Sequence, residues 1–374
     1  MNMWKALIVL TITGCAGRST APVTQPPQGT GADAVYYIYV GAESADLLHR
    51  IRLGPSGMDI DQTTPVGEMA VETEGPHGLN VSPDGGHLYM TTAHGVPDGK
   101  LWKFHAGPDT LVAPPILLGN FPATLDLTPD GLYAFIVNFN LHGEHVPSTV
   151  SVVYTPDLVE VDQIPTCTMP HGLRMAKDGL FVYSNCMMDD QLVEIDTRTF
   201  EVSRRFSVTT GSEAALFDYQ VEEVVTGARG ITRPLESLST REPMESTCSP
   251  TWAQPTPDGR SIFVACNKSN EILVIDRENW ALERKMSVPG GPYNLAISED
   301  GEILIASLKA AGKVQFFEAS TGKSLGLATS TTTVTHGVVV TPDSRYAFVS
   351  MEGKGADPGK VDAYDLRHFN WWGQ

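Results

Sequence analysis

One phrase returns six times along this chain: His77-Gly-Leu-Asn-Val-Ser-Pro-Asp-Gly85, Ala123-Thr-Leu-Asp-Leu-Thr-Pro-Asp-Gly131, His171-Gly-Leu-Arg-Met-Ala-Lys-Asp-Gly179, Thr251-Trp-Ala-Gln-Pro-Thr-Pro-Asp-Gly259, Tyr293-Asn-Leu-Ala-Ile-Ser-Glu-Asp-Gly301 and His336-Gly-Val-Val-Val-Thr-Pro-Asp-Ser344. Each copy is a short alternating segment that ends in a tight turn. Asp-Gly marks such a turn because glycine accepts a positive φ without steric cost. A second segment rich in strand formers follows every turn: Leu88-Tyr-Met, Ala134-Phe-Ile-Val, Phe181-Val-Tyr, Ile262-Phe-Val-Ala, Ile303-Leu-Ile-Ala and Tyr346-Ala-Phe-Val. Third and fourth segments, such as Leu192-Val-Glu-Ile-Asp196 and Glu201-Val-Ser-Arg-Arg-Phe206, complete units of four strands. A four-stranded unit cannot bury both of its faces alone, so the chain must stack the units and protect their edges.

The phrase and its sequel resemble the YVTN family of repeats, whose pattern runs Pro-x-Gly, apolar alternation, Ser-Pro-Asp-Gly, Tyr-Val-x-Asn and Val-x-Val-Ile-Asp. The resemblance extends from about Tyr36 to Leu366. It implies an all-β fold, a β-propeller of about seven four-stranded blades, and an extracytoplasmic repeat protein. Val35 to Val71 supplies second, third and fourth strands without a clear first one, whereas the last unit, from His336, lacks a convincing fourth. Counting second strands gives seven, with terminal strands expected to complete the ring. Eight is the alternative, because the turn aspartates recur at intervals in the forties except between Asp178 and Asp258. Residues 209–247 show little alternation, so a long insertion is the preferred reading. A single propeller domain is expected over 34–374.

The N-terminus has the layout of an export signal over residues 1–14: Lys5, an apolar run from Ala6 to Ile12, then small residues. The run is too short to span a bilayer. Ile12-Thr13-Gly14-Cys15 resembles the bacterial lipobox, which implies lipid on Cys15. Residues 15–33, rich in Pro, Gly and Thr, form a flexible tether in this reading. Of the 5 cysteines, lipid on Cys15 leaves Cys167, Cys186, Cys248 and Cys266 as an even set suited to an oxidising compartment. The expected location is thus the periplasm or cell surface of a bacterium, with the membrane held through Cys15. A formal charge of −18 argues against nucleic acid as a partner. A monomer is expected, with an unidentified protein or small molecule as ligand.

In a propeller the first strand of each blade lines the central channel. The chain enters it from one face, the top, and the Asp-Gly turns lie at the bottom. On this scheme His77, His171 and His336 occupy equivalent entry positions at the channel mouth, and His94, His142 and His145 fall in long loops on the same face. Neutral imidazoles converging from several blades suit a divalent metal or copper; they equally suit a metal-free ligand pocket, or a plain version of the Pro-x-Gly entry. Cofactors therefore stay open: none, a divalent ion or copper at His77, His171 and His336. Glu43, Glu144, Asp189, Asp190 and Glu352 lie in top loops as solvated carboxylates or as acid, base or ligand. Trp252, Trp371 and Trp372 suit packing better than a substrate platform.

Cys186 and Cys266 each lie eight residues beyond their turn aspartates, and Cys167 and Cys248 just before their blade's first strand. Cys167–Cys186 and Cys248–Cys266 disulfides follow. The alternative is a copper(I) site with Met169, Met175, Met187, Met188 and His171. No Gly-x-Ser-x-Gly, His-Glu-x-x-His or Gly-x-x-x-x-Gly-Lys signature occurs. The leading expectation is a lipid-anchored binding module acting through its channel mouth, and the alternative is a metal-dependent lactonase or lyase, or a copper redox site.

Overall fold

The computed structural model describes residues 34–69, 71–94, 98–217, 245–354 and 356–367, with the backbone alone of 370–372. The signal segment, Cys15, the tether and most of the insertion expected at 209–247 lie outside the described residues.

The repeated turn is a small hydrogen-bonding machine, and its chemistry explains the Ser/Thr-Pro-Asp-Gly spelling. In the first copy Gly85 has φ +71°, and its N–H donates to the Ser82 carbonyl at 2.8 Å. The Ser82 hydroxyl donates to the Asp84 carboxylate, which also accepts from the Gly86 N–H at 2.9 Å. Ser82 Oγ in turn accepts from the His87 N–H, so the first strand is tied to the start of the second. Thr128 with Asp130, Thr256 with Asp258, Ser298 with Asp300 and Thr341 with Asp343 repeat the hydroxyl-to-carboxylate bond. Ser344 takes the glycine position at φ +58°.

These turns generate seven antiparallel sheets. The first blade comprises Tyr36–Ala42, Leu47–Gly54 and Gly57–Pro65. The second runs through Pro76–Val81, His87–Thr92 and Lys100–His105, whose outer edge pairs with both Thr110–Leu111 and Ile116–Leu117. The third holds Pro122–Leu127, Tyr133–Asn138, Pro147–Tyr154 and Val159–Thr168. The fourth holds Pro170–Met175, Phe181–Cys186, Gln191–Asp196 and Glu201–Ser207. The fifth holds Pro250–Pro255, Ser261–Cys266, Glu271–Asp276 and Ala281–Ser287. Pro292–Ile297, Ile303–Leu308, Lys313–Glu318 and Ser324–Thr329 build the sixth. Thr335–Val340, Tyr346–Met351, Lys360–Asp365 and Asn370–Trp372 build the seventh.

Apolar side chains fill each space between neighbouring sheets. Phe135, Val150 and Val152 meet Leu173, Val182 and Val193 between the third and fourth blades. Ile38 and Ile51 of the first blade meet Phe348 and Ala363 of the seventh, so the ring closes. Tyr36 Oη donates to the Asp343 carboxylate at 2.6 Å across the same seam. The fold is an all-β propeller of seven blades, and the count of eight is not realised.

Two expectations about the strands change. The last unit does possess a fourth strand, Asn370–Trp372, which pairs with Lys360–Asp365; its two tryptophans hid it, because three residues leave no visible alternation. The start of the insertion is partly sheet: Ala214–Leu216 adds a fifth strand against Glu201–Ser207.

Candidate functional site

First strands bring the three entry histidines together because each sits at the second residue of its strand, just inside the top of the channel. The His77 ring lies 6.3 Å from that of His171 and 6.1 Å from that of His336, centre to centre. Tyr293, the residue at the same entry position in the sixth blade, stands between them. Its ring centre is 4.5 Å from His336, and its hydroxyl meets His171 Nε2 at 3.0 Å. Phe121 and Phe139 pack edge-on against His77 and His171.

The glycine after each histidine explains how closely the strands approach. A Cβ on Gly78 would stand 2.4 Å from the Ala123 carbonyl oxygen, and one on Gly172 only 2.2 Å from that of Thr251. The same carbonyls accept hydrogen bonds from the neighbouring imidazoles: His77 Nδ1 lies 3.0 Å from Ala123 O, and His171 Nδ1 lies 3.1 Å from Thr251 O. A carbonyl can only accept, so Nδ1 carries the proton in both rings and Nε2 presents a lone pair. The Tyr293 hydroxyl accordingly donates to His171 Nε2.

Burial keeps these imidazoles neutral. It pushes the His171 pKa down to about 3, helped by the neighbouring His77. Burial likewise holds His336 well below the ordinary histidine value, and it lowers His77 against the raising influence of Glu43. Desolvation disfavours the charged ring, and a second imidazole nearby adds to the cost. Burial also raises the Tyr293 hydroxyl, with Glu352 and Glu43 contributing, so it remains a donor.

Two carboxylates flank this cluster. Glu43 meets His94 Nε2 at 3.1 Å, and His142 Nε2 meets His94 Nδ1 at 3.2 Å. Glu352 accepts from Lys309 Nζ at 2.8 Å, and that ammonium lies 4.3 Å from the centre of the Tyr293 ring. Of the six histidines expected on this face, five join one connected group. His145 is exposed and stands apart from it. Below the mouth the channel opens into a cavity of roughly 2310 Å³.

Other expected ligands have structural duties. Asp190 accepts the backbone N–H groups of Thr247, Cys248 and Ser249 and so pins the returning end of the insertion. Asp189 accepts the Thr168 N–H at 2.8 Å, while Glu144 is exposed. Trp252 is 6% exposed and packs between the fifth and sixth blades, with the Arg174 guanidinium over its ring. Both expected disulfides are present, Cys167–Cys186 with Cα atoms 5.8 Å apart and Cys248–Cys266 at 4.5 Å. Their sulfurs are thereby engaged, and Met169, Met175 and Met187 pack against the core between blades, so the copper(I) alternative loses its ligands. Among the described residues no three His, Cys, Asp or Glu side chains are arranged to hold a metal ion.

Sequence reasoning missed Tyr293 and Lys309. The entry-position register carried a signal for Tyr293, which aligns with His171, but no motif marks Lys309.

The fold and this mouth define the class: a seven-bladed β-propeller with a histidine- and tyrosine-lined channel entrance. The chain is similar to Kuenenia stuttgartiensis hydrazine synthase, at 13% identity and a TM-score of 0.63, over 87% of this chain and 91% of that one. It is also similar to a functionally unknown protein from Desulfotomaculum acetoxidans, at 13% identity and a TM-score of 0.53, over 78% of this chain and 81% of that one. Both likenesses concern the fold. No protein-family model and no curated protein sequence matches the chain.

Proposed function

We propose that the protein is a binding module whose channel mouth takes a positively charged group rich in hydrogen-bond donors, such as an ammonium. One observation carries this reading: backbone carbonyls hold His77 and His171 as neutral rings, which leaves the His77 Nε2 lone pair at the mouth while the Tyr293 hydroxyl engages that of His171. Glu43 and Glu352 add negative charge beside them, and among the described residues Lys309 is the one cation over the Tyr293 ring. Acceptors thus outnumber donors, which favours a donor ligand. The whole-chain charge of −18 would draw such a ligand in.

Butylammonium is the probe, and butanol the matched control without charge. At concentrations well above Kd, butylammonium raises Tm by about 2 °C or more, and Glu43→Gln/Glu352→Gln loses that rise. An equal response to both probes, or an unchanged response in the double variant, contradicts the proposal.

The metal-assisted alternative would require Tyr293 to release His171 Nε2, and nothing in the geometry favours it. We further propose, on the lipobox resemblance and on the pairing of the four other cysteines, that Cys15 carries lipid outside the cytoplasm. Cys15→Ser is expected to move the protein from the membrane to the soluble fraction. Persistent membrane association of that variant would count against lipidation.

A further inference from the structure

The six other blades share one spacing. Their first strands begin eleven residues before the second strand and end six before it: Pro76 and Val81 against His87, Pro122 and Leu127 against Tyr133, and so through Thr335 and Val340 against Tyr346. The turn aspartate always stands three residues before the second strand. The first blade differs: among the described residues its strand nearest the axis is Tyr36–Ala42, which pairs only with Leu47–Gly54 and contacts the first strand of the second blade. Second strands of the other blades make that contact. Tyr36–Ala42 is therefore a second strand, and its inner edge faces the cavity.

The neighbours on either side are formed for a strand at that place. His336 and Gly337 repeat the His-Gly pair that, in the second and fourth blades, receives the next first strand. Yet His336 Nδ1 meets no such carbonyl among the described residues, and a Cβ on Gly337 would meet only the Ser350 hydroxyl, at 2.9 Å. Val339 is 50% exposed and Val81 39%, whereas the equivalent residues of the other first strands are half-buried or buried. Ile38, Val40, Leu79 and Val338 line the resulting groove.

We infer that residues 25–30 of this chain occupy the groove as the inner strand of the first blade. The common spacing, counted back from Tyr36, lands on Gln25 to Thr30 and puts Asp33 at the turn aspartate, as in all six other blades. The described chain enters at Ala34, at the foot of the groove, so the preceding residues reach it by one tight turn. Pro26 then supplies a carbonyl opposite His336 Nδ1, as Ala123 and Thr251 do for His77 and His171, while Glu352 Oε1 stands 3.5 Å from His336 Nε2. Gln28 stands where the other blades place Leu, Ala or Val, so pairing rests on the backbone edge rather than on apolar burial. The segment leaves the ring at the top face, which turns the mouth toward whatever holds Cys15.

Cross-linking in the full chain tests this. Fifth residues of adjacent first strands touch, as Asn80 Nδ2 does Asp126 Oδ1 at 2.7 Å; their counterparts here are Val339 and Gly29. In a Cys15→Ser background, Gly29→Cys/Val339→Cys treated with a short bis-maleimide is expected to cross-link within one molecule. The expected yield is at least about tenfold above Gly29→Cys/Leu180→Cys, whose second site lies on the fourth blade. Absence of that cross-link overturns the inference, as does its appearance only in dimers, where a second copy fills the groove. Gly337→Ala supplies an independent reading. With the groove filled it lowers Tm as much as Gly172→Ala does; a loss less than half as large contradicts the inference.

Discussion

At the scale of single residues, the histidines matter because of what they are not. An entry histidine in a −18 chain looks like a cation in waiting, but burial and a backbone carbonyl make His171 a neutral acceptor with its pKa near 3. The unfolded chain binds a proton on this residue below about pH 6.5, and the folded chain does not until about pH 3. A depressed histidine therefore contributes stability that is intact above 6.5 and falls as the pH drops through that window. By pH 5 the loss should reach about 2 kcal/mol. Thermal unfolding between pH 7 and pH 4 checks it. His171→Asn should lower Tm at pH 7 yet flatten its dependence on pH, and an unchanged slope would show that His171 is not the group responsible.

At the scale of elements, much of the architecture was legible because turn chemistry repeats in the sequence. Ser82, Asp84 and Gly85 specify a hydrogen-bonded turn by residue type alone, and five further copies mark the ring. The disulfide pairing was legible for the same reason, since both pairs repeat nearly the same spacing about the turn aspartate, although Cys167 stands in the last strand of the third blade and its bridge ties that blade to the fourth. Its worth is measurable: the Cys167–Cys186 bridge spans 19 residues. Replacing both with serine should cost about 3 kcal/mol in the chain-entropy picture, read as a lower denaturant midpoint together with a larger m, because the unbridged chain unfolds to a more expanded state. A change below about 0.5 kcal/mol would mean that the unfolded chain keeps these two cysteines close without the bridge. Less legible were elements specified by their neighbours. Asn370–Trp372 has too few residues for alternation to show, and it is a strand only because Lys360–Asp365 offers an edge. Asp190 was indistinguishable from a solvated loop carboxylate, because its partners Thr247, Cys248 and Ser249 lie more than fifty residues away.

At the scale of the whole molecule, ring closure converts six repeats of one phrase into a single polar mouth. The register put His77, His171 and His336 on the same level, and this much of the site could be read in advance. The tautomers could not, because they depend on Ala123 and Thr251, carbonyls of the next blade brought close by Gly78 and Gly172. Nor could the metal reading be weighed without seeing Tyr293 against His171. Lipid at Cys15 and a strand drawn from residues 25–30 would together fix how this mouth faces its surroundings, and the Cys15→Ser and cross-linking experiments separate the two. The central claim concerns the mouth itself, as an array of neutral acceptors that receives a donor cation. It is tested most directly by ¹⁵N NMR of histidine-labelled protein titrated with butylammonium at pH 7. The account predicts that His77 and His171 show an unprotonated Nε2 and a protonated Nδ1 in the free protein, and that the His77 Nε2 resonance moves saturably on titration. Imidazolium signals in the free protein, or resonances that do not move up to concentrations that saturate the thermal shift, would contradict it.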